Sequence, residues 1–304
     1  MADHEGTDDG ASAGLKTSSS ALVTIRGLLP SLAPAERRVA EAVLADPGEV
    51  AGKSITALAR SCSTSETTVV RFCRTTGFSG YPQLRLALAV EAERAAQPSE
   101  RAVGGEIGPD DDLDEVVSKV SFSNVQALQE TTDHLNLPAL AKVVDAVAGA
   151  RRVELIGIGA SAIVTQDLEQ KLRRINRVAY ACKDTHDALT SAALLTPDDV
   201  AIGVSHTGAT QDTIAPLVEA ASHGAVTVAI TNFPRSPITD VVDLVLTTAV
   251  RETTFRSGAL ASRLAQLSVV DFLFVAVAQR TYEQTLDALA ATHDAVGPRR
   301  FGNA

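Results

Sequence analysis

Between residues 152 and 247, five short apolar runs rich in Val, Ile, Leu and Ala alternate with longer segments of helical periodicity. This alternation constrains the chain more than any other feature. Strands separated by helices cannot pair as tight hairpins. Each connection crosses over, giving a parallel sheet covered by helices on both faces. The runs lie at 152–157, 178–181, 199–204, 226–231 and 243–247. The helical segments lie at 161–176, 186–195, 211–223, 258–280 and 282–294, with two more, 113–135 and 138–149, ahead of the first run. Residues 113–296 are therefore expected to form a doubly wound, five-stranded parallel α/β domain of the flavodoxin-like kind, with leading helices.

The front of the chain reads differently. Residues 21–96 carry helical periodicity throughout and no strand pattern, so an all-α domain is expected there. The stretch "QPSERAVGGEIGPDDD", 97–112, combines Pro, Gly and acids without an apolar face and reads as a linker. Residues 1–20, rich in Gly, Ser, Ala and Asp, read as a disordered arm. The fold class is thus a two-domain α/β protein, all-α in front and doubly wound behind.

Composition narrows the setting. Hydrophobic residues make up 45 % of the 304, enough for two cores, and with Trp absent and aromatics at 4 % those cores must be aliphatic. No unbroken run approaches about 18 apolar residues, so no membrane span is expected. The acidic start "MADHEGTDDG" lacks the apolar region of a secretory signal, and a cytoplasmic location is expected. Cys62, Cys73 and Cys182 sit in no CxxC or Cys/His cluster, so they read as buried thiols, and neither a metal nor a cofactor is expected. Net charge is −10, yet residues 21–94 carry +2. Only that segment can approach a polyanion without general repulsion.

Within it, "SITALARSCSTSETTVVRFCRTTGFSGY" divides into two short helices and a polar turn. Ser54 is placed to cap the first helix, with Ile55, Leu58 and Ala59 facing inward. Ser65 is placed to cap the second, with Val69, Phe72 and Cys73 inward and Gly77 at its end. Two helices joined this way form a helix-turn-helix, whose second helix enters the major groove. Its outward face would present Ser65, Glu66, Thr67, Thr68, Arg71 and Arg74. Hydroxyls and arginines there suit phosphates and base edges. A solvated face of a helical bundle gives the same spacing. Ahead of this pair, "LAPAERRVAEAVLADP" reads as a supporting helix started by Pro34, with Arg37 and Arg38 on its solvated face.

The stretch 22–95 resembles the amino-terminal domain of RpiR-type bacterial transcription regulators. These show a Ser-Ile-x-x-Leu-Ala start, a Ser-x-x-Thr-Val-x-Arg-Phe recognition helix and then Gly-Phe-x-Gly-Tyr. The chain has "SITALA", "SETTVVRFCR" and "GFSGY" in that order. The resemblance implies that Ser65, Thr67, Thr68 and Arg71 lie at or near DNA, and places Tyr81 on the turn into the next helix, where packing alone also accounts for it.

In the rear domain two loops each join a strand to a helix: "GIGASA", 157–162, and "SHTGAT", 205–210. Open α/β sheets bind ligands at the carboxyl ends of their strands, where helix amino-termini offer free N–H groups and a positive dipole end. Ser205, Thr207 and Thr210 add hydroxyl donors, and Gly208 lets the backbone approach closely. The set suits a phosphate held without Lys or Arg. "GIGASA" also fits the dinucleotide fingerprint, with Asp184 as the acid that motif wants, but a nicotinamide dinucleotide leaves "SHTGAT" unexplained.

The two loops together resemble the sugar isomerase (SIS) domain, whose second loop reads Ser-x-Ser-Gly-x-Thr; here Thr207 stands for the middle Ser and keeps the hydroxyl. The resemblance covers about 135–280. It implies a phosphosugar held by Gly159, Ser161, Ser205, His206, Thr207, Gly208 and Thr210. In SIS domains the region corresponding to "RETTFRSGALASRLAQL", 251–267, lines the pocket, and Glu252 and Ser257 are candidates for the sugar hydroxyls. RpiR-type regulators share this domain order.

A catalyst would need a positioned general base, for which Asp167, Glu169, His186 and Glu252 are candidates. An attached DNA-binding domain favours a sensor without turnover, hence no catalytic residue. The expected partners are operator DNA and a phosphosugar, and the expected assembly is a homodimer or homotetramer. Amino-sugar 6-phosphates lead as effectors, with keto-deoxy-phosphogluconate and pentose phosphates as alternatives. Repression of sugar or amino-sugar catabolism genes is the expected output, with an isomerase or etherase as the alternative function.

Overall fold

The computed structural model describes residues 20–95, 107–251 and 259–296. The linker residues 96–106 and nearly all of the amino-terminal arm fall outside it. The front is all helix: α1 (Ala21–Leu28), α2 (Pro34–Ala45), α3 (Pro47–Gly52), α4 (Ile55–Ser61), α5 (Glu66–Thr75) and α6 (Tyr81–Ala95). Local chemistry sets the boundaries. Ser20, Asp46, Ser54 and Ser65 each accept a first-turn backbone N–H, and α2 and α3 both begin on Pro. Ser63 turns the chain between α4 and α5 at φ 48°, and Gly77, at φ 91°, stands just past α5. Ile25, Val39, Val43, Leu58, Val69, Phe72, Cys73, Leu84 and Leu88 close the core. The inward stripes expected of α4 and α5 are therefore the ones observed.

The rear begins with α7 (Leu113–His134) and α8 (Leu137–Gly149). The acids read as the end of a linker have a structural role here. Asp112 and Glu115 form a capping box on α7, and Asp111 pairs with Lys119 at 2.7 Å. Then come β1 (Val153–Gly157), α9 (Ala160–Arg174), β2 (Ala179–Ala181), α10 (Thr185–Ala192), β3 (Val200–Val204), α11 (Gln211–Ser222), β4 (Val226–Thr231), β5 (Leu244–Thr247), α12 (Leu260–Arg280) and α13 (Tyr282–Val296). All strand pairs are parallel and the order is β2-β1-β3-β4-β5. That is the flavodoxin-like order, with its switch point between β1 and β3.

Side chains alternate across the sheet. Val200, Ile202 and Val204 of β3 join Val143, Val147, Leu168, Leu172, Val269 and Leu273 on one face. Ala201 turns to the other, against Leu217 and Ala220 of α11 and Ala188 and Ala192 of α10. All five expected strands are present within one residue of their predicted starts.

Helix α12 departs from the sequence expectation. An 18-residue window within it reaches a mean hydropathy of 1.7, so by length and composition it is apolar enough to cross a bilayer. Counting unbroken runs missed this because Arg263, Gln266 and Asp271 interrupt the apolar positions. Packing explains the composition. Val269, Val270, Leu273 and Val277 lie in the main core, and Ala261 and Ala265 pack against Ala127 and Val250.

Candidate functional site

Strands β1 and β3 are neighbours in register, with Gly157 opposite Val204. Their exit loops therefore lie side by side at the carboxyl edge of the sheet, at the switch point. In the first loop a Cβ on Gly157 would lie 2.8 Å from the Ser161 carbonyl oxygen, and Gly159 holds φ 61°. Both positions demand glycine. Ser161 is buried in the first turn of α9.

In the second loop Ser205 is buried, only 3 % exposed. Its Oγ accepts the Gly208 N–H at 3.1 Å and lies 3.1 Å from Thr210 Oγ1. Thr207 is exposed, and its Oγ1 accepts the Ala209 N–H at 3.3 Å. Thr210 stands at the N-cap of α11 with no side-chain capping bond, so its hydroxyl is not spent on the helix. Helix α11 directs its first-turn N–H groups at this corner. The His206 ring packs edge-on against Phe233 at 5.7 Å, which makes it a wall of the loop.

Gly208 is also fixed by its own fold. It holds φ 63°, and a Cβ there would lie 2.1 Å from Ser236 Oγ. A side chain there would collide with the protein itself. Sequence reading passed over the wall that Ser236 belongs to, "TNFPRSP", 231–237. Asn232 N–H and Thr231 Oγ1 both donate to the His206 carbonyl, at 3.1 and 3.3 Å, and Ile238 N–H donates to the Gly208 carbonyl at 2.8 Å. Its signal was available: a polar stretch with two prolines directly after a buried strand.

Two of the catalytic candidates are ion-paired. Asp167 binds Lys171 at 2.5 Å, and Lys171 also binds Asp271 of α12. Glu169 faces Arg173 at 3.8 Å. Asp184 caps α10, accepting the Asp187 N–H at 2.9 Å, and His186 is exposed on that helix. Glu252 and Ser257 lie outside the described residues. Among the described residues no group of three or more His, Cys, Asp or Glu side chains could hold a metal ion. The three cysteines are buried, and burial pushes the Cys73 thiol up to about 11.

On the head, Glu66, Thr67, Arg71 and Arg74 are exposed along α5, with Ser65 exposed at its cap. Thr68 is not on that face. It is buried, 9 % exposed, with its hydroxyl 3.0 Å from Ser65 Oγ, because capping turns its backbone and side chain inward. Arg71 Nε donates to the buried Glu36 at 3.1 Å, as does Thr75 Oγ1 at 3.2 Å, tying α5 to α2. Thr56 donates to Glu66 at 2.6 Å across the turn. Arg38 donates to the carbonyls of Cys62 and Ser63, and Arg37 to that of Pro30, so both brace the fold. The Tyr81 hydroxyl donates to the carbonyls of Val50 and Lys53, the packing role.

Comparison with known proteins places these features. Residues 20–95 match the profile of the rpiR-family helix-turn-helix domain, and 146–276 match that of the SIS domain. An HTH-type transcriptional regulator of Caldanaerobacter subterraneus is 36 % identical over 93 % of this chain and 99 % of its own. The Vibrio vulnificus NanR protein, solved in complex with ManNAc-6P, is 31 % identical with a TM-score of 0.59, over 92 % of this chain and 99 % of that one. The sugar isomerase domain of an RpiR transcription factor from Sphaerobacter thermophilus is 29 % identical with a TM-score of 0.55, over 59 % of this chain and 99 % of that one.

Proposed function

The chain belongs to the rpiR family of helix-turn-helix transcriptional regulators that carry a SIS domain, and we propose that it binds a phosphosugar in the 205–210 loop and controls operator DNA through α5. The observation that carries this reading is the pair of strand-exit loops at the switch point, where the Ser205, Thr207 and Thr210 hydroxyls gather at the amino-terminus of α11. A phosphate ester there exchanges water for hydroxyl donors and helix N–H groups. Ser161 completes the cradle from the first loop, and His206 flanks it. The NanR relative, solved with ManNAc-6P, supports an amino-sugar 6-phosphate as effector. Glu252 and Ser257 are assigned to the sugar hydroxyls on the SIS resemblance alone.

On the DNA side, Ser65, Glu66, Thr67, Arg71 and Arg74 form the contact face, with Thr68 supporting it from within. A two-fold assembly would read a near-palindromic operator. The protein acts in the cytoplasm, as a repressor of sugar or amino-sugar catabolism genes. We read the SIS domain as a sensor without turnover. The ion pairs of Asp167 with Lys171 and Glu169 with Arg173 support this, since each carboxylate has a structural partner on its own helix.

The test is to select an operator from random duplex DNA and titrate it with and without amino-sugar 6-phosphates. The reading requires sequence-specific, salt-sensitive binding that the phosphosugar weakens, with no conversion of the sugar. Turnover of the sugar, or DNA binding indifferent to every phosphosugar, contradicts it.

A further inference from the structure

Helix α1 belongs to the head, yet it also docks on the sensor domain. Arg26 donates to Glu130 of α7 at 3.2 Å. The Ser20 N–H donates to His134 Nε2 at 2.9 Å, while His134 Nδ1 lies 2.7 Å from the Glu130 carbonyl. A carbonyl only accepts and an amide N–H only donates, so the two contacts match a ring that donates from Nδ1 and accepts at Nε2. Gly27 rests on Pro234, where a Cβ would meet Pro234 Cδ at 3.2 Å. Between these contacts lies a cleft of about 180 Å³, walled by α1 on one side and by Asn232, Pro234, Thr248 and Val250 on the other.

The segment under α1 is the one that walls the cradle. Asn232 N–H holds the His206 carbonyl, the Phe233 ring packs on the His206 ring, and Ser236 nests against Gly208. Asn232 also fixes the far wall of the cleft. Its Oδ1 accepts from Val250 N–H at 2.8 Å and from Thr248 Oγ1 at 3.1 Å, and its Nδ2 donates to the Val250 carbonyl at 3.3 Å. Six residues thus touch the ligand loop at four points, through Thr231, Asn232, Phe233 and Ser236, and the DNA-binding head at one, through Pro234.

We propose that residues 231–236, "TNFPRS", are a lever between the phosphosugar cradle and the DNA-binding head, so that filling the cradle changes how α1 sits on the sensor domain. This rests on the cradle reading above. The dock it acts on is small: one ion pair between Arg26 and Glu130, one hydrogen bond from Ser20 to His134 and the Gly27–Pro234 contact beside an open cleft. A dock of few contacts is one that a ligand's differential affinity can bias.

The experiment pairs calorimetry with hydrogen–deuterium exchange on the full chain, using N-acetylmannosamine 6-phosphate and N-acetylglucosamine 6-phosphate as probes. In the wild-type protein a saturating probe is expected to change amide exchange across 21–28 by about tenfold. Gly27→Val crowds Pro234 and should show the altered exchange without probe. By linkage it should bind the probe more tightly than wild type, by up to about tenfold, and respond no further. Gly27→Ala, a milder intrusion on a helix that it otherwise favours, should fall between the two and keeps the test open if the valine variant does not fold. Probe binding with no change at 21–28 overturns the lever and leaves the cradle standing. Failure of both probes to bind removes the cradle reading, and the lever with it.

Discussion

The Arg71 and Arg74 side chains are both exposed on α5, but they are not equivalent. Arg74 makes no side-chain ion pair or hydrogen bond among the described residues. Arg71 also neutralises Glu36, a carboxylate 5 % exposed. Arg74→Ala should therefore weaken operator binding and reduce the salt slope by about one, with the melting temperature unchanged. Arg71→Ala should weaken binding and also lower stability by about 1–2 kcal/mol, because it leaves a buried charge short of its partner. Anisotropy titrations at two salt concentrations, with a melt of each variant, separate the two. An Arg71→Ala protein as stable as the wild type would show that the pair with Glu36 contributes nothing. Thr68 makes the same point about legibility. From the sequence it belongs with Thr67 on an outward face. Only the capping geometry, in which Ser65 draws the Thr68 N–H and hydroxyl toward itself, takes it off that face.

At the scale of elements, alternation and caps were legible because they are local. Five strands, the helix-turn-helix and the two strand-exit loops could all be read from runs of a few residues. What could not be read is which glycine answers to the ligand and which to the protein. Gly208 looks like a phosphate-binding glycine, but Ser236, 28 positions on, by itself fills the space its Cβ would need. Gly203, in the middle of β3, is of the same kind. A Cβ there would lie 2.5 Å from Leu217 Cδ1 and 3.1 Å from Thr213 Cγ2 of α11. Gly203→Ala should cost about 1–3 kcal/mol in urea unfolding, the penalty of an overpacked core. A loss below that range would mean that α11 slides freely on β3.

The turn into β3 offers a pH-dependent case. Asp199 is fully buried, and burial alone would raise its carboxyl. Bonds from Arg151, at 3.0 and 2.6 Å, and from Thr196, at 2.8 and 2.9 Å, outweigh this and hold it below the usual carboxylate value. A depressed carboxylate stabilises the fold above its unfolded pKa of about 3.9 and loses that contribution as pH falls through its folded value. Asp199→Asn should cost about 2–3 kcal/mol at neutral pH. The gap to wild type should narrow below about pH 4, as the wild-type carboxyl takes up its proton. A gap that is constant with pH contradicts the charge-based account.

On the scale of the whole molecule, the sequence resolves two domains but not their contact. The residues that join them are scattered: Ser20, Arg26 and Gly27 in front, Glu130, His134 and Pro234 behind. None forms a local pattern, and a Gly inside a short helix reads as a weakness until Pro234 is seen against it. The same holds for the third wall of the cradle, which becomes evident only when β4 is placed beside β3. The account as a whole turns on whether the 205–210 loop holds a phosphate. The most direct measurement is calorimetric titration of amino-sugar 6-phosphates, and of the same sugars without phosphate, into the wild-type chain and into Ser205→Ala combined with Thr210→Val. The account predicts binding of a phosphorylated sugar only, with affinity reduced at least about tenfold in the double variant, the loss expected for hydrogen bonds to a charged group. Equal affinity in the folded double variant, or binding that ignores the phosphate, would contradict it.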